Sequence, residues 1–204
     1  MMKRFLTMLA AMMLLAIPAL AEEAEGQAAA NAAYASVLLD GRKALQMEDE
    51  WHGVTGVAQG TPFEMTGAPV RFTVLDMDTY GIQEIVIELA EPESFVVLTW
   101  YEGRVYAAEI PYRGLLDLKD DGTHVFSSGA EDNGVAMLLL ESDRVTVGVL
   151  AQSHSAGTGA VTYTVGGKEA DQADFDAFLA EQETKLPALW YEYSADMLRL
   201  VLGQ

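Results

Sequence analysis

Between Val70 and Leu89 the chain reads V-R-F-T-V-L-D-M-D-T-Y-G-I-Q-E-I-V-I-E-L, two β-branched, apolar runs around a short acidic turn. Phe72, Val74 and Asp76 alternate with Arg71, Thr73 and Leu75, which is the period of a strand and not of a helix. Ile82 to Leu89 repeats the pattern on the far side of the turn. The same rhythm continues down the chain. Phe95 to Tyr101 and Arg104 to Ile110 read as a hairpin around Glu102-Gly103. Short runs follow at Leu115–Leu118, Thr123–Ser127, Val135–Glu141, Arg144–Ala151 and Ala160–Val165. Polar or glycine-bearing turns separate them, including Asp120-Asp121-Gly122, Ser128 to Gly134 and Gln152 to Gly159. About nine sequential strands without intervening long helices predict an antiparallel meander over 70–165.

Helical patterns frame that meander. Tyr34, Val37, Leu38 and Leu45 fall on one stripe and predict a helix over 32–51, weakened at Gly41 by about 1 kcal/mol relative to alanine. Residues 53–69 are rich in glycine and proline and read as loop. Asp171, with Asp174 three residues on, predicts the cap of a helix over 171–186 that Pro187 stops. Ser194 predicts the cap of a last helix over 194–202. The expected fold class is therefore mainly β (α+β). It is an antiparallel meander in a curved or propeller-blade-like sheet, with helices packed on it, in one globular domain over 32–204.

The first residues predict export. Lys3 and Arg4 precede an apolar run from Phe5 to Ile17, Pro18 breaks it, and Ala19-Leu20-Ala21 offers a small-residue cleavage site. Residues 1–21 therefore read as a secretory signal, 22–31 as a flexible linker, and the location as secreted or on the exterior of the cell envelope. No later apolar run is long enough to span a bilayer. With no cysteine, the chain has neither disulfides nor thiol chemistry. Its formal charge of −19 becomes −21 if Lys3 and Arg4 leave with the signal. Such a field repels nucleic acid and anionic membranes and draws cations close.

The acidic turn is where charged groups stand at metal-ligand spacing. Asp76, Asp78 and Glu84 occupy positions 1, 3 and 9 of a loop, and Gly81 at position 6 permits a sharp bend. Ile82, at position 7, would offer a backbone carbonyl. Calcium takes six to eight oxygens at about 2.3–2.6 Å, and a tight loop of alternating carboxylates supplies such a set. The same residues also suit a plain turn, with Asp76 and Asp78 bonding local N–H groups.

At V-L-D-M-D-T-Y-G-I-Q-E-I-V the chain resembles the calcium loop of FG-GAP/VCBS-type modules, D-x-D-x-D-G-x-x-E between two strands. Such modules are similar to single blades of the integrin-α propeller and occur in exported bacterial proteins. Tyr34-x-x-Val37-Leu38, Gly103-Arg104-Val105-Tyr106 and Val165-Gly166-Gly167-Lys168 resemble the helix, hairpin and strand exit around that loop. The resemblance implies a fold, a location and a calcium site at Asp76, Asp78, Ile82 and Glu84. Tyr80 stands where the pattern has Asp, so the implied site is weak. A full propeller would repeat the blade several times, whereas one loop of this type is present.

Other groups carry less. His52, His124 and His154 have no partner at zinc spacing. Ser153-His154-Ser155 lacks a nucleophile-elbow sequence, and neighbours in a strand point apart. Trp100, Tyr101, Tyr106 and Tyr112 could form a ligand platform or cross-strand pairs. Trp190, Tyr191 and Tyr193 should pack the C-terminal helix onto the sheet. The expected function is a non-catalytic exported binding module whose partner is an extracellular or envelope protein or a glycan. A hydrolase using carboxylates, or a structural envelope-accessory protein, is the alternative.

Overall fold

A computed structural model of the chain describes residues 24–49, 61–128, 132–141, 144–155 and 159–204. The predicted signal and His52 lie outside them.

Helix α1 covers 24–38 and is followed by two short strands, β1 (Leu45–Gln46) and β2 (Glu48–Asp49). A meander follows: β3 (Ala68–Leu75), β4 (Glu84–Ala90), β5 (Ser94–Tyr101) and β6 (Arg104–Pro111). A second meander comprises β7 (His124–Ser127), β8 (Asp132–Glu141), β9 (Arg144–Ser155), β10 (Val161–Val165) and β11 (Lys168–Ala170). Helix α2 (Gln172–Glu183), strand β12 (Tyr191–Glu192) and helix α3 (Ala195–Leu202) close the chain.

The strands form two sheets. The first has the order β1-β6-β5-β4-β3-β12 and the second β11-β10-β9-β8-β7, with β2 beside β9. The expected mainly β, antiparallel class with helices at both ends is present, and the meander is divided between two layers. The β1–β6 and β2–β9 pairings are parallel, and two-residue strands carry no period from which they could be foreseen.

The first sheet is the centre of the molecule. Along β4 and β5, Ile85, Ile87, Leu89, Val96 and Leu98 turn to one face, where Tyr34 of α1 and Leu198 and Leu202 of α3 cover them. Val86, Phe95 and Val97 turn to the other and meet Leu138, Leu140 and Val145 of the second sheet. Both faces are covered, so β4 and β5 read as continuous apolar runs. Each such side chain, fully buried, contributes about 1.5–3 kcal/mol. Helix α2 packs on the second sheet, with the Phe175 and Tyr163 rings 5.3 Å apart. Near the C-terminus, Tyr191 and Tyr193 lie against Phe72, and Trp190 against Phe95. None of the described helices is long and apolar enough to cross a membrane.

Four expectations need correction. Residues 24–31, expected as linker, belong to α1, where Ala30 is fully buried. That helix stops at 38, not 51: Gly41 ends it, and Leu45 lies in a strand. Leu115–Leu118 forms no strand; Leu116 makes an isolated bridge to Val125 beside a 3-10 turn at Tyr112–Gly114. Strand β9 runs on to Ser155, so Gln152 to Ser155 is ladder and not loop. The two helix caps appear as expected: Asp171 accepts from the Asp174 amide and Ser194 from the Met197 amide.

Candidate metal centre

The loop from Asp76 to Gln83 joins β3 to β4 at one end of the first sheet. Its middle is pinned inward. Met77 is fully buried in the core between the two sheets, which leaves the flanking Asp76 and Asp78 on the other side of the backbone. Gly81 adopts a φ of +87°, the left-handed conformation that the bend requires. Helix α1 fixes the loop exit: the Gln83 amide donates to Gln27 Oε1 at 2.8 Å, and the Tyr34 hydroxyl donates to the Gln83 carbonyl at 3.2 Å.

Three carboxylates converge here. Asp76, Asp78 and Glu84 each present an oxygen, and these oxygens lie within 4.8 Å of one another. Each residue also gives one oxygen to the loop backbone. Asp78 Oδ1 accepts from the Tyr80 amide at 2.9 Å, Asp76 Oδ2 from the Gly81 amide at 3.0 Å, and Glu84 Oε2 from the Met77 amide at 2.9 Å. The sequence allowed either a side-chain-held turn or an ion loop, and the turn is present. It leaves Asp76 Oδ1 buried with no donor. A buried carboxylate oxygen without a partner is costly.

The electrostatics follow from the fact that no base among the described residues joins this cluster. Glu84 is 1% exposed, and burial pushes its carboxyl up to about 8, with the charges of Asp78 and Asp76 adding to the rise. The Met77 amide and the Thr99 hydroxyl, 3.2 Å from Glu84 Oε1, act against it. Burial also raises Asp78, and the neighbouring Asp76 carboxylate raises it further. The Tyr34 hydroxyl, fully buried, is driven up by burial and then by the charge of Glu84. Burial, with the neighbouring carboxylates adding to it, favours the protonated form of Glu84 at neutral pH.

Ile82 lies in the loop, since β4 begins only at Glu84. Its half-buried side chain packs against the helix-covered core. Tyr80 is 83% exposed at the loop tip and contributes no carboxylate. It borders an open groove of about 680 Å³, shared with Thr99, Trp100 and Tyr101. The predicted aromatic platform is thereby split. Trp100 and Tyr101 reach the groove, Tyr106 packs on the inter-sheet core, and Tyr112 stacks on Phe95 at 5.8 Å. Thr99 escaped sequence reasoning; its signal is a lone hydroxyl in the apolar run F-V-V-L-T-W.

The two described histidines, His124 and His154, do not belong to this cluster. His124 is fully buried, its Nδ1 3.3 Å from the Gly122 carbonyl and its Nε2 unpartnered, and burial lowers it to about 4. His154 Nδ1 contacts Asp132 Oδ1 at 2.5 Å, whereas Ser153 Oγ donates to the Asn133 carbonyl, so serine and histidine are not joined as a triad. Neither a protein-family model, nor a curated protein, nor a solved structure matches the chain.

Proposed function

We propose that this chain is an exported, non-catalytic binding module whose β3–β4 loop takes a calcium ion, as FG-GAP/VCBS-type loops do. One observation carries the reading: Asp76 Oδ1 is buried without a donor among carboxylates whose oxygens lie within 4.8 Å. A cation would satisfy that oxygen and relieve the repulsion in the same step. The donors are hard oxygens with no imidazole or thiolate among them, which suits calcium and not zinc. Asp76, Asp78 and Glu84 would hold the ion, and the Ile82 carbonyl would complete the chain's share. With Tyr80 in place of a fourth carboxylate, affinity belongs in the submillimolar-to-millimolar range of extracellular modules. The bound ion would stiffen the loop, and the surface beside it would receive an extracellular or envelope partner. The apolar leader at 1–21 supports the export half of the proposal.

A melt of the chain with calcium, magnesium or chelator tests it. Calcium at ten times its dissociation constant stabilises by about 1.4 kcal/mol, raising Tm by about 3–6 °C for a chain of this size. No shift at ten millimolar calcium refutes the ion site. An equal shift in the Asp76→Asn, Asp78→Asn double variant places binding elsewhere on the acidic surface.

One observation favours a second reading, a hydrolase. Glu84 is a buried carboxyl poised near neutral pH on the wall of a groove, as a general acid is. Both of its oxygens are already engaged by Met77 and Thr99. Hydrolysis of a glycoside or ester by the chain that Glu84→Gln abolishes would establish that reading.

A further inference from the structure

The groove beside the loop has a lining of three chemical kinds. Among the described residues its lining holds four acids, Asp78, Glu84, Glu102 and Glu141, of which Glu84 is buried, and neither lysine nor arginine. Its aromatic residues are Tyr80, Trp100 and Tyr101, of which Tyr80 and Tyr101 are 83% and 47% exposed. Between them lie the apolar side chains of Ile82 and Leu140. A hard metal ion has no use for π faces or aliphatic walls. An alkylammonium uses all three: its charged head pairs with carboxylates and aromatic faces, and its methylenes lie on apolar surface. The volume of about 680 Å³ is that of a small-molecule site.

We propose that this groove binds a small linear organic di- or polyamine. Three accessible carboxylates, Asp78, Glu102 and Glu141, suit a ligand with more than one ammonium, and three rings suit cations that shed water more readily than calcium does. The inference is separate from the calcium reading, although Asp78 and Glu84 belong to both sites. Asp76 does not line the groove. Calcium in the loop should therefore weaken the amine without being required for it.

The test is calorimetric titration of the full chain with spermidine in chelator at low salt. The expected result is one site per chain, with 1,4-butanediol, which has no charge, giving no binding. Tyr80→Ala should weaken spermidine about fivefold and Glu102→Gln, Glu141→Gln at least tenfold. The control is Glu93→Gln, Glu183→Gln, which removes the same charge from exposed positions outside the groove and should leave the affinity unchanged. Equal loss in both double variants means diffuse attraction to an acidic protein and overturns the proposal, as does absence of binding. Asp76→Asn should abolish the calcium shift and keep spermidine. A calcium shift with no spermidine binding overturns the groove reading alone.

Discussion

Two acidic turns meet in this molecule, and they solve the same problem differently. The turn at Asp120-Asp121-Gly122 backs onto the β3–β4 loop so closely that a Cβ on Gly122 would lie 2.8 Å from the Met77 carbonyl oxygen. Asp121 has a cation: Lys185 Nζ is 2.7 Å from Oδ2, and the Thr123 hydroxyl and amide hold Oδ1. Burial alone would raise that carboxyl, but Lys185 and Thr123 outweigh it and hold it below the usual carboxylate range. Asp78 and Glu84, across the join, are raised. The chain therefore supplies a base to one turn and withholds it from the other. Where it withholds the base, a proton on Glu84 does the neutralising, and that is the place a calcium ion would take.

The contact between the two turns, at Gly122 and Met77, is the most sensitive to substitution. Gly122→Ala puts a methyl into the Met77 backbone at a φ of +79°, so the alanine can neither fit nor relax. The expected cost is about 3 kcal/mol, read by chemical denaturation. Gly81→Ala, at +87° with nothing within 4 Å of its Cβ, should cost only about 1 kcal/mol of backbone strain. Equal costs would mean that the two turns do not lean on each other.

A pH series in chelator comes next in size. Glu84 titrates at about 8 in the fold against an ordinary 4.5, so between those values the folded state keeps a proton that the unfolded state has lost, and stability falls as pH rises. His124 has the opposite sign. At about 4 against 6.5, it leaves the folded state short of a proton, and stability rises with pH. The two oppose each other between about 4.5 and 6.5, with the raised Asp78 on the side of Glu84, and above 6.5 the His124 contribution is complete and Glu84 dominates. Stability should then fall by about 2 kcal/mol from pH 6.5 to 8. Glu84→Gln should flatten that fall; a fall that persists in the variant assigns it to another group.

The fifth loop position gives the smallest effect. Tyr80→Asp restores the carboxylate of the FG-GAP/VCBS pattern at an exposed tip. Calcium affinity should rise about tenfold, equivalent to about 1.4 kcal/mol, with the metal-free melt nearly unchanged. No gain in affinity would remove the loop resemblance as a guide to this site.

These residues also show what a sequence can display. Asp76, Asp78, Gly81 and Glu84 are local in the chain, and spacing alone brought them together. Thr99, Tyr34 and Gln27 complete the site from β5 and α1 by tertiary packing, which no short spacing records. The start of α1 was hidden because its Ala/Glu/Gln composition reads as linker, yet alanine is both the best helix former and small enough to pack as Ala30 does. Its end was misplaced because Gly41 reads equally as a weak interior residue and as a stop. The division of one meander into two layers was encoded in β4 and β5, which are apolar on both faces, but that signature becomes legible only once something is known to cover each face.

The most direct measurement is the number of protons released when calcium binds. Calorimetry at pH 7 in two buffers of different ionisation enthalpy supplies it. If calcium takes the place of the Glu84 proton, about one proton leaves per ion bound, since a carboxyl at about 8 is mostly protonated at pH 7. Calcium binding with no proton release, or no binding at millimolar calcium, would contradict the account.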